Sequence, residues 1–165
     1  MNTEIENIIR DSECRYLEEG EQKKILAFTA SLPARFRAAS AVEAREEVVV
    51  RGVVEQMRRL YPNFERYHAK GWEKAYRDIQ ISLRFTVQAM VWNNIEMQED
   101  KLLTWLASIL ASFGFTPKFN RETYTLLRDG IKANVSQEVY AMLDPYLAKN
   151  IEILGSIPEP AMALV

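Results

Sequence analysis

The chain has 165 residues, 48% hydrophobic and 27% charged, with a formal net charge of −2. That length and apolar share suit one globular domain with a sizeable core, and the near-neutral balance gives no electrostatic footprint for nucleic acid. The single cysteine, Cys14, excludes an internal disulfide and a cysteine-cluster metal site. No stretch approaches the roughly 20 apolar residues of a membrane span. No basic segment leading into an apolar run marks a secretory signal, so a cytoplasmic protein without membrane insertion is expected.

Six glycines and six prolines are few interruptions. Helical spacing dominates nearly everywhere, which predicts an all-α fold. Met1 to Glu13 reads as a short amphipathic helix using Ile5, Ile8 and Ile9, punctuated by Glu18, Glu19 and Gly20. A second helix starts near Glu21 with Ile25, Leu26, Phe28 and Leu32 inward; Pro33, lacking its N–H, is expected to kink or break it, with Phe36 and Ala39 carrying the face onward. Ser40 and Glu43 have capping-box spacing, which places a new start near Ala41. Val49, Val53, Met57 and Leu60 line that helix, and Tyr61-Pro62 ends it.

Residues 63–70 read as a polar connection to the element around which the chain is organised, a helix from Gly71 to Asn94. Trp72, Tyr76, Ile79, Leu83, Val87 and Met90 form one apolar row along it. Ile81, Phe85, Ala89 and Trp92 form a second, so packing on more than one side is expected. Leu102, Leu103, Leu106, Ile109, Leu110 and Phe113 make the next helix, stopped by Gly114. Pro117 begins a turn and Asn120 is read as a cap for Tyr124, Leu127 and Ile131. Ser136 caps the last region, in which Asp144-Pro145 is expected to divide two pieces before Tyr146, Leu147, Ile151 and Leu154. Residues 155–165 read as a loosely held tail.

The order of several short segments resembles the phycobiliproteins, the subunits of cyanobacterial light-harvesting antennae. Arg15-Tyr16-Leu17 with Gly20-Glu21 is similar to that family's RYL-x-x-GE segment. Arg35, Arg37-Ala38, Arg45-Glu46, Val48, Gln56 and Pro62 follow in the family's order. Arg77-Asp78 with Leu83-Arg84 resembles its C-x-R-D-x-x-x-x-L-R helix, and Phe113-Gly114 with Thr116-Pro117 its L-G-T-P turn. The resemblance implies a single globin-like domain over residues 1–154. Its extra N-terminal helical hairpin, about residues 1–32 and including Arg15, Tyr16 and Leu17, is implied to serve subunit pairing with a second copy or a related subunit.

Two departures carry as much information. The position of the cysteine that holds a linear tetrapyrrole (bilin) by a thioether is Ala75 here, whose methyl group cannot form that bond. The connection from Pro62 to Ala75 is also shorter than the family's glycine-rich loop, which helps wall the pigment pocket. Two residues of the pigment site persist. By resemblance, Asp78 accepts from pyrrole N–H groups and Arg77 pairs with a propionate, with Arg84 a further contact. On the residues alone, a surface or inter-helix ion pair with no ligand is the more ordinary reading of Arg77 and Asp78.

His68 is the only histidine. A globin-like fold makes haem ligation a candidate role for it, but its place in a polar loop reads as a solvated residue. Trp72, Trp92, Trp105, Tyr61, Tyr67 and Tyr76 could cage a pigment, yet their helical spacing favours core packing. No nucleophile motif, phosphate loop or carboxylate metal site stands out, so no enzyme is expected. The leading expectation is an antenna subunit without covalent bilin, structural or regulatory in role, working with phycobilisome components and peripheral to the thylakoid through them. The alternative is a sensor or carrier that binds a bilin, or haem, non-covalently.

Overall fold

A computed structural model describes residues 2–160, apart from the side chain of Tyr67. Among the described residues every regular element is helical. The chain begins with α1 (Thr3–Asp11), capped by Asn2, whose side chain accepts from the backbone N–H of Glu4 at 2.8 Å. Ile5 and Ile8 are buried, whereas Ile9 faces solvent. The second helix, α2 (Glu19–Glu43), runs unbroken through Pro33. This corrects the expected break. Pro33 and Thr29 are both on the exposed side, so water can take the carbonyl that the missing N–H frees. The far half of α2 is fastened elsewhere: Arg35 Nη1 donates to the Met90 carbonyl at 2.5 Å, and Ala38 and Val42 are buried. Tertiary anchoring therefore outweighs the local penalty of about 3 kcal/mol.

The Ser40–Glu43 spacing is not a helix start either. The Ser40 carbonyl still accepts from Ala44 N–H at 3.1 Å, and the reciprocal side-chain cap belongs instead to Glu18 and Glu21, where Glu18 N–H donates to Glu21 at 2.8 Å. Next comes α3 (Glu46–Leu60), with Val49, Val50, Val53, Val54 and Met57 buried. The connection read as polar contains a short α4 (Phe64–Tyr67), and Phe64 is almost fully buried.

The organising helix, α5 (Gly71–Trp92), starts after Lys70 and stops at Asn93, both in the left-handed region at φ 57° and 51°. It packs against α2, α3 and α9. The first apolar row faces these neighbours through Ile79, Leu83 and Met90. The second is only partly covered, since Ile81 and Trp92 are exposed. Asn94 then caps a short α6 (Ile95–Gln98), which passes through a wide π-turn at Glu99–Leu103 into α7 (Thr104–Ser112). Gly114, at φ 76°, lets the chain reverse.

The eighth helix, α8 (Pro117–Asn134), is capped by Thr116, which accepts from Phe119 N–H at 3.1 Å, with Pro117 in the first turn. Asn120 is thus buried inside the helix and not a cap. A proline fits the first turn because its missing N–H would be unpaired there anyway. The last helix, α9 (Gln137–Leu154), starts at Ser136 as expected but continues through Pro145. Tyr146, Leu147 and Leu154 are buried beyond the proline, so packing again overrides the break. The start of the tail is tied down: Ile157 is buried and Arg121 Nη2 donates to the Gly155 carbonyl at 2.6 Å. Residues 161–165 lie outside the described region.

Helices α3, α8 and α9 pack successively on one another, with α5 laid across α3 and α9. Arg128 on α8 and Asp144 on α9 join the last two at 2.7 Å. The guanidinium holds the Asp144 carboxyl below its ordinary value. A depressed carboxyl adds stability that is present above the unfolded value and lost as pH falls through the folded one. With both groups about a third exposed, Asp144→Asn is expected to cost no more than about 1 kcal/mol at pH 7. Urea unfolding at pH 7 and near pH 3 should show that difference shrinking on acidification.

Candidate functional site

Beneath the first turns of α5 lies a cavity of about 590 Å³. Its walls come from five separate parts of the chain. Val54 and Met57 of α3 form the floor, and Phe64 and His68 close one side. Ala75, Asp78 and Ser82 project from α5, while α7 and α8 supply Trp105, Ile109, Asn120 and Tyr124. Asp78, Ser82 and Ala75 share a side because positions three to four apart align along a helix. The lining is mainly apolar, with few polar groups, as small-molecule sites are.

The short connection before α5 walls the cavity despite its length. Gly71 makes that possible: a Cβ there would lie 2.6 Å from Phe64 Cε1. Phe64 therefore packs directly against the helix start, 4.4 Å between ring centroids from Trp72 and 5.4 Å from Phe119. His68 stacks on Phe115 with centroids 5.0 Å apart. It is a wall residue and not the solvated loop residue expected. Burial, then the nearby Lys74 ammonium, push its imidazole below the ordinary histidine range, which favours the neutral ring.

Of the residues singled out from the sequence, Arg77 and Asp78 lie together at the mouth. Their side chains are 67% and 41% exposed, and Arg77 Nη2 and Nε both donate to Asp78 Oδ1, at 3.1 and 3.2 Å. Ala75 lines the same cavity. Arg84 does not; it sits on the outside of α5 and donates through Nε and Nη2 to Glu46 of α3, at 2.8 and 2.7 Å. Trp72 is buried as expected, but Trp105 is an exposed rim residue and Trp92 is exposed at the end of α5.

Several wall residues carry no motif. Ser82 Oγ donates to the Asp78 carbonyl at 2.8 Å, leaving the Tyr124 hydroxyl to donate to Ser82 at 3.1 Å. Burial pushes the Tyr124 phenol up to about 12, so it stays protonated. Asn120 was missed because it was read as a cap; the Thr116-Pro117 pair is the signal that places it in the first turn, facing inward. No group of His, Cys, Asp and Glu among the described residues is arranged to hold a metal ion. No helix among them is long and apolar enough to cross a membrane.

Cys14, the only thiol, is exposed between α1 and α2, and nothing on the cavity wall can form a thioether. In the same region Arg15 pairs with Glu21 at 2.7 Å, Leu17 is half-buried and Tyr16 is 98% exposed.

No curated protein matches the chain closely enough to count as a relative. A family model described as Phycobilisome protein matches residues 8–154, which takes in every helix from within α1 to the end of α9. With the helical hairpin, the globin-like core and alanine at the attachment position, the chain belongs to the phycobilisome protein family as a member lacking the bilin-attachment cysteine.

Proposed function

We propose that this subunit takes a linear tetrapyrrole into the cavity under α5 and holds it without a covalent bond. The carrying observation is the cavity itself, about 590 Å³ and open beside Asp78. Loss of the attachment cysteine has not been accompanied by collapse of the site, which favours the non-covalent alternative over a subunit without pigment. The volume falls within the roughly 300–1,000 Å³ of small-molecule sites. The donor set fits too: an Asp78 carboxylate suits pyrrole N–H groups and the Arg77 guanidinium suits a propionate. When bound, the tetrapyrrole supplies visible absorption; this chain's residues bind and orient it.

Asp78→Ala is the direct test. Titration of the protein with biliverdin, followed by visible absorbance, is expected to show saturable binding weakened about tenfold by the substitution, since a charge-assisted hydrogen bond contributes about 1.5–3 kcal/mol. Equal affinity in wild type and variant would remove Asp78 from the site. No absorbance change with wild-type protein would defeat the proposal.

We further propose that the hairpin of α1 and α2 pairs with a second copy or a related antenna subunit, so that the protein works within phycobilisome-type assemblies and not as an enzyme. Supporting this, the large apolar side chains Tyr16, Leu26 and Phe36 stand exposed on or beside the hairpin, available for a partner to cover.

A further inference from the structure

Three buried side-chain nitrogen or oxygen atoms among the described residues have no hydrogen-bond partner: Gln98 Oε1, His68 Nε2 and Asn120 Nδ2. Such an atom costs the full desolvation of the group, so each one asks for an explanation. Gln98 sits in the core, where the two N–H groups of its amide are shared among three acceptors within 3.2 Å. The other two belong to residues lining the same cavity. Asn120 is only 2% exposed, whereas the charged pair at the mouth is largely open to solvent. The cavity therefore combines an ionic, solvent-open pair with buried neutral hydrogen-bonding atoms that nothing in the protein satisfies.

We propose that Asn120 and His68 are the specificity-determining residues of this cavity. Asn120 Nδ2 donates to a terminal lactam carbonyl of the tetrapyrrole, and His68 Nε2 hydrogen-bonds a polar atom of the same buried half. This rests on the reading of the cavity as a tetrapyrrole site and adds the direction of entry. A neutral lactam end loses little on leaving water if a donor meets it, while charged propionates are too costly to bury unpaired. The pigment thus enters lactam-first and leaves its propionates beside Arg77. A neutral imidazole can serve as donor or acceptor through its Nε2 tautomer, which suits a pyrrolic or carbonyl partner.

The test pairs two readouts that a structural role would move together and a ligand role moves apart. Asn120→Leu removes a polar group that the free protein leaves unpaired, so its melting temperature without ligand is expected to equal or exceed wild type. Its affinity for biliverdin, read by absorbance titration, is expected to fall about tenfold or more. His68→Phe keeps the stack on Phe115 and is expected to weaken binding as well. Asn120→Asp, which keeps the shape and removes the donor, is expected to lose affinity even if the leucine variant folds poorly. Wild-type affinity in Asn120→Asp and His68→Phe, with Asp78→Ala still weakened, would overturn this inference and leave the tetrapyrrole site standing. Absence of biliverdin binding by wild-type protein would overturn both. Tighter binding of hemin, with a Soret band abolished in His68→Phe, would overturn it in favour of haem ligation.

Discussion

Ala75→Cys is expected to change the protein from one that releases all pigment on denaturation to one that retains it. Ala75 lines the cavity one turn before Ile79 and three residues before Asp78, so a thiol there would project into the same space. A bilin carrying an exocyclic ethylidene can take the thiol across its C=C bond: the sulfur bonds to carbon, the thiol proton goes to the pigment, and nothing leaves. Incubation with phycocyanobilin, followed by acid-urea denaturation and mass spectrometry, should give an added mass equal to the intact pigment in the variant and none in wild type. Native binding by the variant with no covalent product would show that the pigment lies in the cavity with its reactive carbon away from this turn of α5.

The largest loss of stability is expected from Gln98→Ala. Gln98, Thr86 and Asn150 are all fully buried and tie α5, α6 and α9 together. Gln98 Nε2 donates to Asn150 Oδ1 at 2.7 Å and to the Tyr146 carbonyl at 3.1 Å, and Asn150 Nδ2 donates to Thr86 Oγ1 at 3.0 Å. Truncation both opens a void and strips partners from two buried acceptors. The combined cost is about 3 kcal/mol or more. Gln98→Leu refills much of the volume and leaves only the unpaired groups, so it is expected to lose less, about 2 kcal/mol. Equilibrium unfolding in urea of the two variants separates the void from the lost hydrogen bonds. Equal losses would mean that packing contributes little at this position.

The helices were readable where periodicity and end signals agree. The span of α5 from Gly71, the stop at Tyr61-Pro62, the reversal at Gly114 and the Ser136 cap all follow from local chemistry. Failures cluster where a local signal is overruled from a distance. Pro33 and Pro145 sit inside helices because buried neighbours hold the chain helical: Ala38 and Val42 beyond Pro33, and Leu143 and Tyr146 on either side of Pro145. The cap was placed four residues late, at Asn120 where Thr116 serves, and that small error hid a wall residue.

The cavity itself could not be seen in the sequence, because no single segment contains it. Its walls are drawn from α3, the turn after α4, α5, α7 and α8, and few of them, Ala75, Arg77, Asp78 and Phe113, fall within a recognisable pattern. His68 looked solvated because Glu65, Arg66 and Lys70 stand close by in sequence, while its neighbours in space are Phe64 and Phe115. Arg84 fell within the same pattern as Asp78, yet it lies on the outer side of α5. From Asp78 it is six residues on, about a third of a turn away from alignment at 3.6 residues per turn.

The most direct measurement is mass spectrometry, native and denaturing, of this protein produced in cells that also make a bilin. The cavity and the alanine at position 75 together predict a native mass that includes one tetrapyrrole and a denatured mass of the bare polypeptide. Pigment surviving denaturation, or a native protein that carries none while binding no added biliverdin, would contradict the account.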